Sequence, residues 1–280
     1  MTTNPPTSGR RGIAIATAVV GGVVLLGLGA SAAFAMAASS QRADALTTQA
    51  SALAPVDATG ITGLDLNVGV ADLRLEYGSV TEATLTATGG SAERWQFGRD
   101  GDELVVRAPN ANSGFCFFGV CPSTRGQQVT ATLTLPRAFA TQALDADITI
   151  GVGSVRTDGT FGELDVQVDA GDAFISGTAT DLDLVIGMGT FEGEITGAAT
   201  VNAEVSLGDL ALVLKGDPPR DVTLKVSAGS IDLAVPAGIY DVTPARASGS
   251  LDNELNTAPG APNRISAKVD LGDITLSETR

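Results

Sequence analysis

The chain has 280 residues, with 32 acidic and 17 basic side chains, a net charge of −15 and no histidine. That balance disfavours nucleic acid as a partner and removes the commonest general base and metal ligand. Aromatic residues make up only 4% of the chain, so a core must be built from Val, Leu, Ile and Ala, side chains that stack regularly on a pleated surface.

Residues 1–11 are polar and end in Arg10 and Arg11, and residues 12–38 contain no charged side chain. At 1.5 Å per residue this run makes about 40 Å of helix, enough to cross a hydrocarbon core of roughly 30 Å. The paired arginines favour a cytoplasmic N-terminus and an external body at the plasma membrane. The competing reading is a cleaved signal peptide and a secreted body, since Ala33-Phe34-Ala35 and Ala35-Met36-Ala37 offer small residues at a cleavage site. The expected organisation is a cytoplasmic tail (1–11), a single-pass transmembrane anchor (12–38), a linker (39–59) rich in Ala, Thr, Ser and Gln, and an extracellular β-repeat domain (60–280).

The first strand unit of that domain reads Leu64, Leu66, Val68, Val70, Ala71, Asp72, Leu73 and Leu75. Between residues 76 and 142 the grammar is that of antiparallel hairpins: an alternating run at 83–87, Trp95-Gln96-Phe97, a turn at Asp100-Gly101-Asp102, then Leu104-Val105-Val106. Cys116 and Cys121 are the only cysteines and enclose Phe117-Phe118-Gly119-Val120. In an external compartment a disulfide is the expected state, because two thiolates without histidine make an incomplete zinc site. Phe115, Phe117 and Phe118 beside them read as cover for one end of the fold, or as a contact surface. A strand at 129–135 ends at Pro136.

From residue 144 onward one unit repeats every 18 to 23 residues. Gly153, Gly171, Gly189, Gly208, Gly229, Gly249 and Gly272 are each followed by Ser, Asp or Thr, and apolar residues alternate before each of them. Leu164, Val166, Val168 and Ala170 form one such set, and Leu182, Leu184, Ile186 and Met188 another. A fixed period with fixed internal columns is the signature of stacked repeats. The places seven, five, three and one before the glycine are expected to face the core. The glycine with its Ser, Asp or Thr is expected to form a structural corner at which the alternation slips by one residue. Turn chemistry at Asp158-Gly159, Ser176-Gly177, Gly216-Asp217-Pro218-Pro219, Pro236-Ala237-Gly238 and Pro259-Gly260 reads as loops between units. The fold class that follows is all-β: a parallel β-solenoid-like stack with an N-terminal antiparallel hairpin region, preceded by one transmembrane helix.

Chemistry is sparse. Asp147, Asp165 and Asp183 occupy equivalent outward places in three successive units, and their simplest reading is a solvated face. Calcium binding and carboxylate catalysis are the alternatives, although the nine-residue calcium-binding repeat is absent. No catalytic, cofactor or metal motif is found. Arg246 falls in an apolar column, in a unit that also places Pro244 and Ser248 at core positions, so that unit must open to solvent or pair the arginine with an acid. Residues 265–276 read as the terminal strand pair, whose open edge Lys268, Asp270, Asp273 and Glu278 blunt by charge; the alternative is that an envelope or cell-surface partner adds a strand at that edge.

The glycine columns, the strand ending in Leu135-Pro136 just ahead of them and the N-terminal apolar segment resemble the bacterial putative-adhesin, or toast-rack, family of cell-envelope β-repeat domains, over residues 60–280. The resemblance implies no catalytic residue and no cofactor. It also implies company with membrane proteins of envelope-stress signalling, the adhesin label of that family being drawn from its fold. The expected function is a membrane-anchored envelope interaction or scaffold protein without catalytic activity. The alternatives are an accessory subunit of an envelope-stress sensor, acting through a membrane partner, and a carbohydrate-active β-helix enzyme.

Overall fold

The computed structural model describes residues 50–89, 94–108, 129–246 and 248–279, which are mostly strand. In chain order the elements begin with β1 (Ala50–Ala52), β2 (Gly63–Gly78), β3 (Thr84–Thr88), β4 (Gln96–Asp100), β5 (Glu103–Arg107) and β6 (Thr130–Pro136). A 3-10 turn (Arg137–Thr141) leads into β7 (Leu144–Thr178), β8 (Asp181–Thr196), β9 (Thr200–Val205), β10 (Asp209–Lys215), β11 (Asp221–Val226) and β12 (Ser230–Val235). The last elements are β13 (Tyr240–Arg246), β14 (Ser250–Asn253), β15 (Asn263–Val269) and β16 (Asp273–Glu278).

These strands form a long, mostly parallel, unclosed sheet that bends at a corner, so each rung contributes one arm before the bend and one after it. The arms before the bend pair in the order β5, β2, β7, β8, β9, β11, β15, β13. The arms after it pair in the order β6, β2, β7, β8, β10, β12, β16, β14. Strand β7 supplies two consecutive rungs, its first part pairing with β2 and its second with β8. At roughly 4.8 Å per rung the stack is about 40 Å long. The expected hairpins are present, with β4 antiparallel to β5 and β3 antiparallel to β6 and β1. Yet β5 and β6 pair in parallel with β2, so the hairpin region adds a further rung.

The columns seven, five and three places before the glycine are buried on rung after rung, as in Leu164, Val166 and Val168, or Val222, Leu224 and Val226. So are the columns two and four places after it, such as Leu210 and Leu212. The glycines themselves are required by close approach. A Cβ on Gly171 would lie 2.2 Å from the carbonyl oxygen of Gly153, one on Gly189 1.8 Å from that of Gly171, and one on Gly229 2.0 Å from that of Gly208. Backbone meets backbone down the whole column, and only Gly153 and Gly189 also need a positive φ, of 145° and 140°.

The order of the last rungs departs from the sequence reading. Residues 265–276 are not terminal: β15 lies between β11 and β13, and β16 between β12 and β14. The glycine column follows the same path, since a Cβ on Gly272 would meet Gly229 and one on Gly249 would meet Gly272. Burial explains the exchange. The inward side chains of the C-terminal rung, Ile265, Ala267, Val269, Ile274 and Leu276, are all aliphatic and at most 1% exposed, which takes a neighbour on each side. The rung displaced to the end is the one with Pro244 at an inward place, where it is exposed. Tyr240 N–H points away from β15, donating to Asn256 O, and by strand alternation the missing N–H of Pro244 faces the same open side. That rung thus opens to solvent, as one of the two readings required, while the side chain of Arg246 lies outside the described residues.

Because β16 is internal, proline at Thr275 tests the fold and not an edge. Asp273 N–H and Thr279 N–H both donate toward β12, to Gly229 O and Val235 O, and Thr275 shares their side. We expect Thr275→Pro to cost about 3 kcal/mol or more, read as a lowered melting temperature. A melt within 2 °C of the parent would contradict the rung order.

Three further expectations are corrected. The place just before the glycine is outside the core: Val70, Val152, Met188, Leu207 and Leu271 are exposed there. Residues three before and two after the glycine both point inward, so the four between them must turn, and the one before the glycine sits at the apex. Asp158-Gly159 and Ser176-Gly177 lie within β7 instead of in loops, with Gly177 packed on Gly159 much as the corner glycines pack on one another. The linker reading of 39–59 is too long, because Ala50–Ala52 pairs with β3 and Val56 bridges Ala83. Among the described residues no helix is long and apolar enough to cross a membrane, and the expected span at 12–38 lies outside them.

Candidate functional site

The three aspartates singled out from the sequence do come together. Asp147 pairs in register with Asp65, and Asp165 with Asp183, which makes a four-carboxylate line on the outward face before the corner. Asp145, Glu163 and Asp181 stand two residues away on the same rungs, and the backbone N–H of Glu163 donates to Asp145 Oδ1 at 3.0 Å. One end of the line is neutralised by Arg107, 2.7 Å from Asp65 Oδ2. At the other end Asn202 bonds to Asp183. Beyond it the face turns to mixed charge, with Arg264 2.6 Å from Asp221 and Lys225 3.6 Å from Glu204.

Crowding sets the electrostatics of the line. Burial between neighbouring rungs, followed by the charges of Glu163, Asp183, Asp147 and Asp145, pushes the Asp165 carboxyl up to about 6. Asp147 is raised by burial and then by Asp65, and Asp183 by burial, partly opposed by its bond from Asn202. The acids lie along one face at rung spacing. Among the described residues no group of three or more of them could hold a metal ion.

The opposite arm carries an open groove of about 690 Å³ across five rungs. In it the Arg156 guanidinium sits 4.5 Å over the ring of Phe174, and Arg74 pairs in register with Arg156. Glu76, Asp158, Glu192 and Glu194 face the two arginines, so the groove is of mixed charge with acids in excess.

The feature that sequence reasoning assigned wrongly is the residue just before each corner glycine. In spatial order the corner apex carries Val70, Val152, Ala170, Met188, Leu207, Ala228 and Leu271 on seven consecutive rungs, then Ser248 on the last. Val152 is 54% exposed, Met188 56%, Leu207 61% and Leu271 71%. Five of the seven large exposed apolar side chains among the described residues fall in this one column, which forms a ridge roughly 30 Å long. The signal available was glycine at the place before the apex, in Gly69, Gly151 and Gly187, where the chain already begins to turn.

Beside the ridge runs a second column. In spatial order it reads Asp72, Ser154, Asp172, Thr190, Asp209, Ser230, Asp273, Ser250. Ser154 donates to Asp72 at 2.7 Å, Ser230 to Asp209 at 2.6 Å, and Ser250 to Asp273. A hydroxyl between successive carboxylates separates like charges and supplies each bonded aspartate with a donor. Cys116 and Cys121 lie outside the described residues.

No family model and no curated protein sequence matches the chain. Among solved structures it is similar to a putative cell adhesion protein from Clostridium sporogenes, at 13% identity and a TM-score of 0.37 over 83% of this chain and 100% of that one. It is also similar to a putative adhesin from Bacteroides fragilis, at 11% identity and a TM-score of 0.34 over 84% and 98% of the two chains. A putative adhesin from Parabacteroides distasonis matches at 13% identity and a TM-score of 0.43 over 83% and 98%. At such identities and TM-scores no residue role passes from them to this chain.

Proposed function

We propose that the chain is an adhesin-like, non-catalytic interaction module of the cell envelope, held at the plasma membrane by residues 12–38 with its β-body outside. The observation that supports this best is the corner ridge. A line of seven apolar side chains, five exposed and two half-buried alanines, is a surface that a partner covers, since scattered apolar residues would need no such explanation. The alternating hydroxyl and carboxylate column fixes one flank, so the surface is preorganised. In this reading the acid face and the groove keep the body soluble, and Cys116 and Cys121 are oxidised outside, so that a thiol reagent labels neither before reduction.

The test uses the full chain in the membranes of the cell that makes it. A photo-crosslinking residue is placed at Met188 or Leu207 on the ridge, or at Val185, which is exposed and apolar but off the ridge. Discrete protein adducts are expected from the two ridge positions and not from 185. Adducts only from 185, or none from either ridge position, would overturn the reading. An adduct with a membrane protein of the same cell would specify the accessory-subunit form of this function, and one formed only between cells would specify adhesion.

A further inference from the structure

We infer that the ridge takes a partner segment that is aliphatic along one line and basic beside it, as a lysine- or arginine-bearing amphipathic helix is. This rests on the reading of the ridge as the interaction surface and adds the chemistry of its occupant. The corner segments, from two places before the glycine to one place after it, contain Asp72, Asp169, Asp172, Asp209, Asp270 and Asp273. On all eight rungs from β2 to β14 these segments contain no lysine and no arginine. Within these segments the apolar line is therefore edged by aspartates, of which Asp270 is paired with Lys268 at 3.6 Å on the far flank.

That edging selects among occupants. A bilayer surface carrying anionic lipid would be repelled by the flanking aspartates, and surfaces built for lipid carry the opposite sign. A second copy would set one acid-edged ridge against another, bringing like charges together where water is excluded. A basic amphipathic segment meets both demands, its apolar side on the ridge and its cations on the aspartate column. Geometry agrees. One helical turn advances 5.4 Å and one rung about 4.8 Å, so an aliphatic residue per turn stays near an aliphatic residue per rung over several turns. Ala170 and Ala228, between the larger Val152, Met188, Leu207 and Leu271, leave shallow notches in which a larger partner side chain can seat. The aspartates are held for this role, since Ser154 and Ser230 each bond one carboxylate oxygen, Oδ1 of Asp72 and of Asp209.

The experiment measures fluorescence anisotropy with the full chain in nanodiscs of zwitterionic lipid at physiological salt. The probe is a labelled synthetic helix of leucines on one face and lysines beside it. Two control peptides have glutamate in place of lysine, or the same composition scrambled so that the apolar face is lost. The variants are Met188→Ser with Leu207→Ser on the ridge, Asp172→Asn with Asp209→Asn on its flank, and Asp147→Asn with Asp165→Asn for the same charge change on the acid face. Leu271→Ser serves as a second ridge variant should the first lose its fold by circular dichroism.

The probe is expected to bind the parent at least tenfold more tightly than either control peptide. Ridge and flank variants should each lose at least tenfold, and the acid-face variant less than twofold. Equal loss in the acid-face variant would reduce the binding to general charge attraction and overturn the proposal. So would binding unchanged by the ridge variants, or no preference over the scrambled peptide. A dimer seen by sedimentation and abolished by Leu207→Ser would give the ridge to a second copy, and flotation on anionic vesicles abolished by that change would give it to lipid; either result overturns the proposal. Ridge-dependent crosslinks without probe binding would leave the interaction surface standing and remove only its basic partner.

Discussion

Gly189→Ala is expected to lose about 4 kcal/mol or more of the body's stability, although it adds a single methyl group. The added carbon would lie 1.8 Å from the carbonyl oxygen of Gly171, and the φ of 140° is one that an L side chain rarely adopts. Neither conflict can be relieved locally, because the obstructing atom is backbone in a rung that is itself paired on both sides. For a body of this size the loss corresponds to a fall in melting temperature on the order of 10 °C. The contrast is Gly98→Ala in β4, where a Cβ would meet nothing within 4 Å and the backbone needs no positive φ. That variant should melt within 2 °C of the parent. Similar melts for both would mean that the glycine column does not hold the rungs at their spacing.

The second large effect is in pH. The Asp165 carboxyl is raised from 3.8 to about 6 by burial and by its acidic neighbours, so between those values the folded protein binds a proton that the unfolded chain has released. A raised carboxyl costs stability in its charged form. The body is therefore expected to become more stable as the pH is lowered from 7 through 6 toward 4, with Asp147 and Asp183 shifted in the same direction. Asp165→Asn removes the central charge. At pH 7 it should stabilise the body by about 1 kcal/mol, allowing for the solvent that still reaches the group, and the gain should fade by pH 4. Denaturant melts at pH 7, 5.5 and 4 decide it. A variant less stable than the parent at pH 7 would show that the line is held together by contacts that outweigh its repulsion.

Much of this architecture could be read before any coordinates. The period, the inward columns at seven, five and three places before the glycine, and the early unit at Leu64 to Leu75 follow from alternation and spacing, which are local. What escaped depends on which rung lies beside which. The exchange of the last two rungs is invisible to column alignment, because both fit the columns. A signal was present in the column after the glycine: taken in chain order it ends Ser230, Ser250, Asp273, and only with the two exchanged does carboxylate alternate with hydroxyl throughout. The polar inward residues of the 240–253 rung pointed the same way, toward an end position. The ridge was misplaced because strict period-two counting continued through a bend, where the side chain at the apex belongs to neither arm. The parallel pairing of β5 and β6 with β2 joins segments separated by more than 35 residues, and nothing local in a hairpin pattern announces it.

The exchanged rungs also set an order of events. Among the described residues, strands β13 and β14 find their ladder partners only in β15 and β16, apart from the bridge of Tyr240 to Thr257. During synthesis the earlier rungs can settle one upon the next as they emerge, each onto a finished template. Residues 240–253 cannot, for when they appear the surface they pair with has yet to be made. They must wait, unpaired, until residues 263–278 arrive, dock on β11 and β12, and offer a new edge on which the older segment then closes. Completion of the stack is therefore a single late step that joins two rungs at once, and a chain halted within residues 254–262 would present its finished templates with nothing to cover them.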